Sequence, residues 1–140
     1  MFKKNYIKII YPFFLGLLTS FSLPPYNYFI INFFTLSLFF IFIVNQRETI
    51  KKKFIYFRYG WLFGFGYFIS SLYWITIALT FDENFKILIP ISLILIPAFL
   101  AIFYGLALYI FSFFIKNKNI SLILIFSVSF AIIEFIRGSI

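Results

Sequence analysis

Residues 120 to 140 read ISLILIFSVSFAIIEFIRGSI, and this stretch decides the class of fold. Residues 120 to 133 are fourteen consecutive positions without a charge, and Glu134 and Arg137 then follow three residues apart. Charged side chains inside a membrane segment are costly, and they usually face protein or a water-filled cavity. The pattern predicts a membrane span from residue 120 to about residue 136 that ends on an ion pair.

The composition of the whole chain points to the same class. Of its 140 residues, 64% are hydrophobic and only 11% are charged. A soluble domain is typically about half apolar and a quarter charged. The chain has too few polar residues to cover a surface in water, so it is predicted to be an integral membrane protein without a soluble domain.

Missing residue types exclude several kinds of chemistry. The sequence contains no Cys and no His, which rules out disulfides, a thiolate nucleophile, a Ser–His pair and imidazole ligands for zinc or haem. The acidic residues are scattered as Glu48, Asp82, Glu83 and Glu134. We therefore predict no catalytic, cofactor-binding or metal-binding residue. The net charge is +8, and the basic residues lie between the apolar runs. This placement indicates contact with lipid headgroups rather than with nucleic acid.

Five apolar segments are separated by polar or proline-containing breaks. The breaks are LPPYN at residues 23–27, NQRETIKKK at 45–53, DEN at 82–84 and KNKN at 116–119. Two prolines remove two backbone donors and restrict the preceding residue, so a helix should end before them. The predicted fold is an all-α bundle of about five transmembrane helices, with spans at about 6–22, 28–44, 59–81, 87–115 and 120–136. The first two are short against the ~20 residues that a bilayer needs.

The distribution of basic residues predicts the orientation. With the N-terminus inside, ten Lys and Arg side chains lie in inside segments, whereas only Lys86 and Arg137 lie outside. Cytoplasmic loops carry an excess of Lys and Arg, so the N-terminus is predicted inside and the C-terminus outside. A basic start and short apolar core also resemble a signal peptide, but Pro24 and Pro25 follow at once. We predict a multi-pass membrane protein.

The stretch GWLFGFGYFISSLYWI, residues 60–75, carries two patterns. Gly60 and Gly64 have the small-xxx-small spacing that lets two membrane helices approach closely. Tyr67, Ser71 and Trp74 fall on one helical face. Interior packing with an aromatic belt at the outer interface is the favoured interpretation of that face, and contact with a lipid or an outer domain is the alternative.

Glu134 and Arg137 also allow two interpretations. At ~1.5 Å per residue, Glu134 lies roughly 21 Å above Ile120 and Arg137 roughly 26 Å above it. One interpretation is a structural ion pair that anchors the end of the helix. The other is a cavity facing the periplasm, in which Arg137 holds an anionic phosphate or docks an outer domain. Together with Trp74 and Tyr67, these two residues are the candidates for contact with lipid or another domain.

Three motifs in order resemble the N-terminal membrane region of bacterial apolipoprotein N-acyltransferases. They are FSLPPYNYF after the first span, GWLFGFGYFISSLYWI in the third and AIIEFIRGSI in the fifth. The residues that match the family pattern are Phe21, Pro24 and Pro25 in the first motif, Tyr73, Trp74 and Ile75 in the second, and Glu134, Arg137 and Gly138 in the third. The resemblance covers nearly the whole chain.

This resemblance implies a fold and an activity. Family members have eight membrane helices and a nitrilase-like domain on the periplasmic side. In lipoprotein biosynthesis they transfer an acyl chain from a phospholipid to the α-amine of the diacylglyceryl-cysteine of an apolipoprotein, through a thioester formed by a Glu–Lys–Cys triad. The implied partners are therefore membrane phospholipid, as the acyl donor, and diacylated apolipoprotein. The implied location is the bacterial inner membrane.

The triad cannot be placed on this sequence. The sequence has no Cys, and the domain that carries the triad would follow Ile140. We therefore expect a truncated piece of the enzyme that is inactive by itself. The alternative is a small, complete, non-enzymatic membrane protein, such as a scaffold, a pore former or half of a transporter.

Overall fold

A computed structural model describes residues 3–24, 26–73, 89–117 and 121–139. Within these residues all regular structure is helical and no strand is present, so the all-α prediction is confirmed for them. The helices are α1 (Lys3–Thr19), which a 3-10 turn (Ser20–Ser22) extends, α2 (Phe29–Asn45), α3 (Lys53–Ser71), α4 (Ile89–Phe111) and α5 (Leu122–Ser139).

Each helix overlaps one of the five predicted segments, although some ends differ. α3 begins at Lys53, ahead of the predicted start near residue 59. The backbone hydrogen bonds of a helix do not require apolar side chains, and lysine is itself a good helix former. The predicted end of this segment near residue 81 lies outside the described residues.

The outer surface of the bundle is strongly apolar. α4 and α5 are long and apolar enough to cross a membrane, with mean hydropathies of 2.4 and 1.9, and shorter apolar helices cover Tyr6–Ser22 and Phe29–Asn45. Large side chains point outwards, among them Phe33, which is 70% exposed, and Phe135, which is 76% exposed. Large contiguous apolar patches are rare on the surface of soluble monomers. A bundle with this exterior favours lipid as its surroundings.

α3 is the central helix of the bundle. It packs against α1 on one side and α4 on another, while α2 packs against α1 and α5 against α4. The rings of Phe39 on α2 and Phe63 on α3 stack with centroids 4.3 Å apart. Phe126 on α5 contacts the ring of Phe39 edge-on at 6.3 Å. This aromatic core joins α2 and α5 to the central helix.

Glycines allow α3 to approach both of its neighbours closely. A Cβ on Gly64 would lie 2.9 Å from the Cβ of Tyr104, and a Cβ on Gly60 would overlap the carbonyl oxygen of Tyr104. The predicted close contact of Gly60 and Gly64 is thus confirmed, and its partner is α4. A second seam was not predicted: a Cβ on Gly66 would overlap the carbonyl oxygen of a residue on α1, and a Cβ on Gly16 that of a residue on α3.

Hydroxyl groups join the two helices of the first hairpin to each other and to α3. The hydroxyl of Thr19 donates to that of Thr35 on α2 at 2.8 Å, and the hydroxyl of Ser20 donates to that of Ser70 on α3 at 2.7 Å. In the turn between α1 and α2, Asn27 has a φ of 55°, a left-handed conformation that asparagine tolerates better than most residues. Interhelical hydrogen bonds between side-chain hydroxyls, such as these two, are a common means of association between membrane helices.

Candidate functional site

A polar cluster lies between α3, α4 and α5, surrounded by aromatic rings. Arg137 Nη2 is 2.6 Å from Glu134 Oε2, so the predicted ion pair forms. The hydroxyl of Tyr104, on α4, donates a hydrogen bond to Glu134 Oε1. Both carboxylate oxygens of Glu134 therefore have a partner, one from its own helix and one from the neighbouring helix.

The local sequence explains why these groups meet. Residues three apart on a helix are neighbours on one face, which brings Glu134 and Arg137 together. Tyr104 is only 8% exposed. Its ring meets that of Phe68 edge-on at 5.3 Å and that of Phe130 at 5.4 Å. The packed rings hold its hydroxyl against the carboxylate of Glu134.

Arg137 makes a second contact, with α3. Its guanidinium carbon lies 5.2 Å from the centre of the Phe68 ring, within the range of a cation–π interaction. Its Nε is buried and has no acceptor among the described residues. Because a guanidinium has five N–H donors, donors remain for a further acceptor after the contact with Glu134.

The cluster is only partly shielded from its surroundings. The side chain of Arg137 is 31% exposed and that of Glu134 is 35% exposed. An ion pair with this exposure has an open side, where a second anionic group can approach the guanidinium. The arrangement is therefore suited to holding helices together and, on its open side, to binding an anion such as phosphate.

Tyr67 belongs to the same cluster. Its ring is half-buried, with its centroid 5.0 Å from that of Phe68 and 5.9 Å from that of Tyr104. Three of the four residues predicted to contact lipid or a domain are thus brought together, whereas Trp74 lies outside the described residues. Ser71, predicted on the same face, donates to the carbonyl of Phe68 in its own helix at 3.4 Å.

Tyr104 is the member of the cluster that the sequence did not reveal. It lies within an uncharged run of α4, next to the small residues Ala101 and Gly105. A tyrosine hydroxyl that is buried usually finds a hydrogen-bond partner, and this was the available signal. Among the described residues, no group of three His, Cys, Asp or Glu side chains is arranged to hold a metal ion.

The fold and the cluster define a class: a helical bundle with an apolar exterior and a charged pair in the last turns of its last described helix. Within that class, the chain belongs to the apolipoprotein N-acyltransferase family, since residues 15–140 match the family described as "Apolipoprotein N-acyltransferase N-terminal domain". This confirms the family that the three sequence motifs predicted.

Curated relatives from several bacteria carry the same description, apolipoprotein N-acyltransferase. The protein from Rhizobium etli is 33% identical in a match of 130 residues that covers 88% of this chain and 24% of the relative. That from Brucella melitensis is 30% identical over 129 residues, covering 87% of this chain and 24% of the relative. The chain thus spans about a quarter of the length of these relatives. No solved structure matches it.

Proposed function

We propose that this chain forms the N-terminal membrane part of an apolipoprotein N-acyltransferase. The complete enzyme would move an acyl chain from a membrane phospholipid to the N-terminal diacylglyceryl-cysteine of a lipoprotein. The observation that carries this proposal is the family match over residues 15–140, combined with relatives of the same description that align with nearly the whole chain. The acyl chemistry would belong to a nitrilase-like domain that this sequence does not contain.

In this proposal the helices cross the bacterial inner membrane five times, with the N-terminus inside. The charges of the bundle support that orientation. Lys8 Nζ donates to Gln46 Oε1 at 3.0 Å, and Lys53 Nζ lies 3.4 Å from the centre of the Phe113 ring. These contacts bring the start of α1, the end of α2, the start of α3 and the end of α4 to one end of the bundle. The cations there include Lys8, Arg47, Lys51, Lys52, Lys53, Arg58 and Lys116.

The opposite end has a different charge balance. Among the described residues it contains Arg137, which is paired with Glu134. The excess of cations at one end is the pattern of cytoplasmic loops. The cluster of Tyr104, Glu134 and Arg137 would then lie in the outer half of the membrane, the half nearer to a periplasmic domain.

We assign the cluster primarily a structural role, because both oxygens of Glu134 are already used within the bundle. It would fix α5 against α3 and α4 and so hold the connection to the periplasmic domain in place. The second candidate role is contact with a lipid phosphate or with that domain through Glu134, Arg137, Tyr67 and Trp74. The open side of Arg137 favours this second role.

The DNA that follows the codon of Ile140 tests the proposal. We expect the reading frame to continue into a Cys-containing domain. The protein from that complete frame should then acylate the α-amine of a synthetic diacylated lipopeptide with phosphatidylethanolamine as the donor. A stop codon directly after Ile140 would instead support a small non-enzymatic membrane protein. A complete frame whose inserted product shows no acyl transfer would contradict the proposed activity.

A further inference from the structure

A groove runs between α1 and α3 at the basic end of the bundle. One part of it is a cavity of about 260 Å³, lined by residues that include Lys8, Ile9 and Arg58. An adjoining cavity of about 390 Å³ shares Ile9 and Arg58 and extends to Trp61 on α3 and to a residue of α4. The larger cavity has the size of a typical ligand pocket. We call the two cavities together the basic groove.

The smaller cavity of the basic groove carries positive charge that no carboxylate balances within the described residues. The ammonium of Lys8 donates to Gln46, a neutral partner that leaves its charge uncompensated. Arg58 is exposed and forms no ion pair with an acidic side chain in the described part of the chain. Glu48, the described carboxylate at this end, pairs with Arg47 at 3.4 Å. Two cations therefore border one cavity and can hold one anionic group between them.

The walls of the basic groove are apolar and one of them is fixed. The indole N–H of Trp61 donates to the carbonyl oxygen of Ala98 at 3.0 Å. Its ring stacks on that of Phe65 with centroids 5.1 Å apart and planes 5° from parallel. Ile102 from α4 lines the same cavity. The groove thus presents a rigid aromatic face and aliphatic side chains directly beside the two cations.

We propose that the basic groove binds an anionic phospholipid of the cytoplasmic leaflet. The lipid phosphate would lie between Lys8 and Arg58, and one acyl chain would run along Trp61 and Ile102. Charge complementarity identifies the occupant, since a zwitterionic lipid brings no net charge to two uncompensated cations. The inference rests on the membrane placement above but goes beyond acyl transfer. The site lies at the opposite end from Glu134 and Arg137, so it is not where the outer-leaflet acyl donor would bind.

Quenching of Trp61 fluorescence by brominated lipid tests the site directly. The 140-residue chain carrying Trp74→Phe retains Trp61 as its one tryptophan. It is reconstituted into phosphatidylcholine nanodiscs that contain a small fraction of phosphatidylglycerol or phosphatidylcholine with bromine on the acyl chains. We expect brominated phosphatidylglycerol to quench Trp61 more efficiently. A cation near a membrane surface contributes ~1 kcal/mol of attraction to anionic lipid, which corresponds to roughly fivefold in affinity.

Charge variants separate the basic groove from general surface attraction. Arg58→Gln should lower the preference for phosphatidylglycerol roughly fivefold and Lys8→Gln by a similar factor, whereas Arg58→Lys should retain it. Lys51→Gln combined with Lys52→Gln is the matched control, because it removes two exposed cations of the same end that do not line either cavity. This control should keep most of the preference.

Each possible result of the quenching experiment either supports or contradicts the proposed lipid site. Equal quenching by both lipids, or an equal loss of preference in the control, would overturn the proposed site and leave the family assignment untouched, since the assay involves no acyl transfer. Absence of quenching by either lipid in correctly reconstituted chain would contradict the membrane placement as well. Quenching that prefers phosphatidylglycerol and depends on Arg58 and Lys8 supports the site.

Discussion

Breaking the ion pair between Glu134 and Arg137 is expected to destabilise the bundle, and removing both charges to restore much of the loss. Glu134→Gln leaves Arg137 without its partner, and Arg137→Gln leaves Glu134 with only the hydroxyl of Tyr104. Each single change thus leaves a partly buried charge uncompensated. The double change leaves neither, and a glutamine at position 134 retains a carbonyl oxygen that can accept the hydrogen bond from Tyr104.

The exposure of the pair sets the size of the effect. Removing one member of a fully buried pair costs ~4 kcal/mol, and an exposed pair contributes ~0.5 kcal/mol. Glu134 is 35% exposed and Arg137 31% exposed, so an intermediate value applies. We expect each single variant to lose about 2 kcal/mol of unfolding free energy and the double variant only about 1 kcal/mol, which corresponds to a coupling of about 3 kcal/mol between the two changes.

Unfolding in mixed micelles by titration with sodium dodecyl sulfate, followed by circular dichroism, measures these free energies. The matched control is the cycle between Glu134→Gln and Arg58→Gln, because Arg58 is a cation of the same type at the other end of the bundle. That cycle should be additive. Additivity in the Glu134–Arg137 cycle would refute the structural role. Lost turnover in a complete, stably folded Arg137→Gln enzyme, not restored by Glu134→Gln, would show that Arg137 handles lipid or the catalytic domain.

Three further results are expected. Gly64→Leu should lower the melting temperature in detergent, because a side chain there would collide with Tyr104. Gly138→Leu is the control, since a Cβ at Gly138 meets no atom within 4 Å. If the two variants melt at the same temperature, α3 and α4 can separate at no cost. Single cysteines at Asn84 and after Ile140 should react with a membrane-impermeant thiol reagent in intact cells, and one at Asn117 should not; labelling at Asn117 would mean that the predicted number of spans is wrong. The isolated chain should not acylate a diacylated lipopeptide, because a thioester needs a thiolate and the sequence has no Cys; acylation above background would contradict the assumed mechanism.

Features encoded over short distances were predictable from the sequence. Glu134 and Arg137 are one turn apart, so helical geometry alone brings them together. Gly60 and Gly64 follow the same logic, since their spacing places both on one face of α3. Their partner remained unknown until the structure showed α4 there, because the spacing within one helix says nothing about which neighbour it meets.

Features that depend on tertiary contacts were missed. Tyr104 is 30 positions before Glu134, and only the packing of α4 against α5 reveals their hydrogen bond. Gly16 and Gly66 lie on different helices, so no spacing within a single segment marks the seam that they form. The helical start of α3 at Lys53, ahead of the predicted span, could not be read from hydropathy, because an apolar run indicates the lipid-facing length of a segment rather than the full extent of its helix.

The two glycine seams of α3 have a consequence for biogenesis. Residues of Lys53–Ser71 supply the docking surfaces for both α1 and α4. Since α3 follows the hairpin of α1 and α2 in the chain, the hairpin is synthesised before its main partner. Its exposed seam around Gly16 must stay in lipid, or against the insertion machinery, until α3 leaves the ribosome. Stalling the ribosome before or after α3 has emerged from the exit tunnel should therefore separate a loosely associated hairpin from one that is protected against proteolysis.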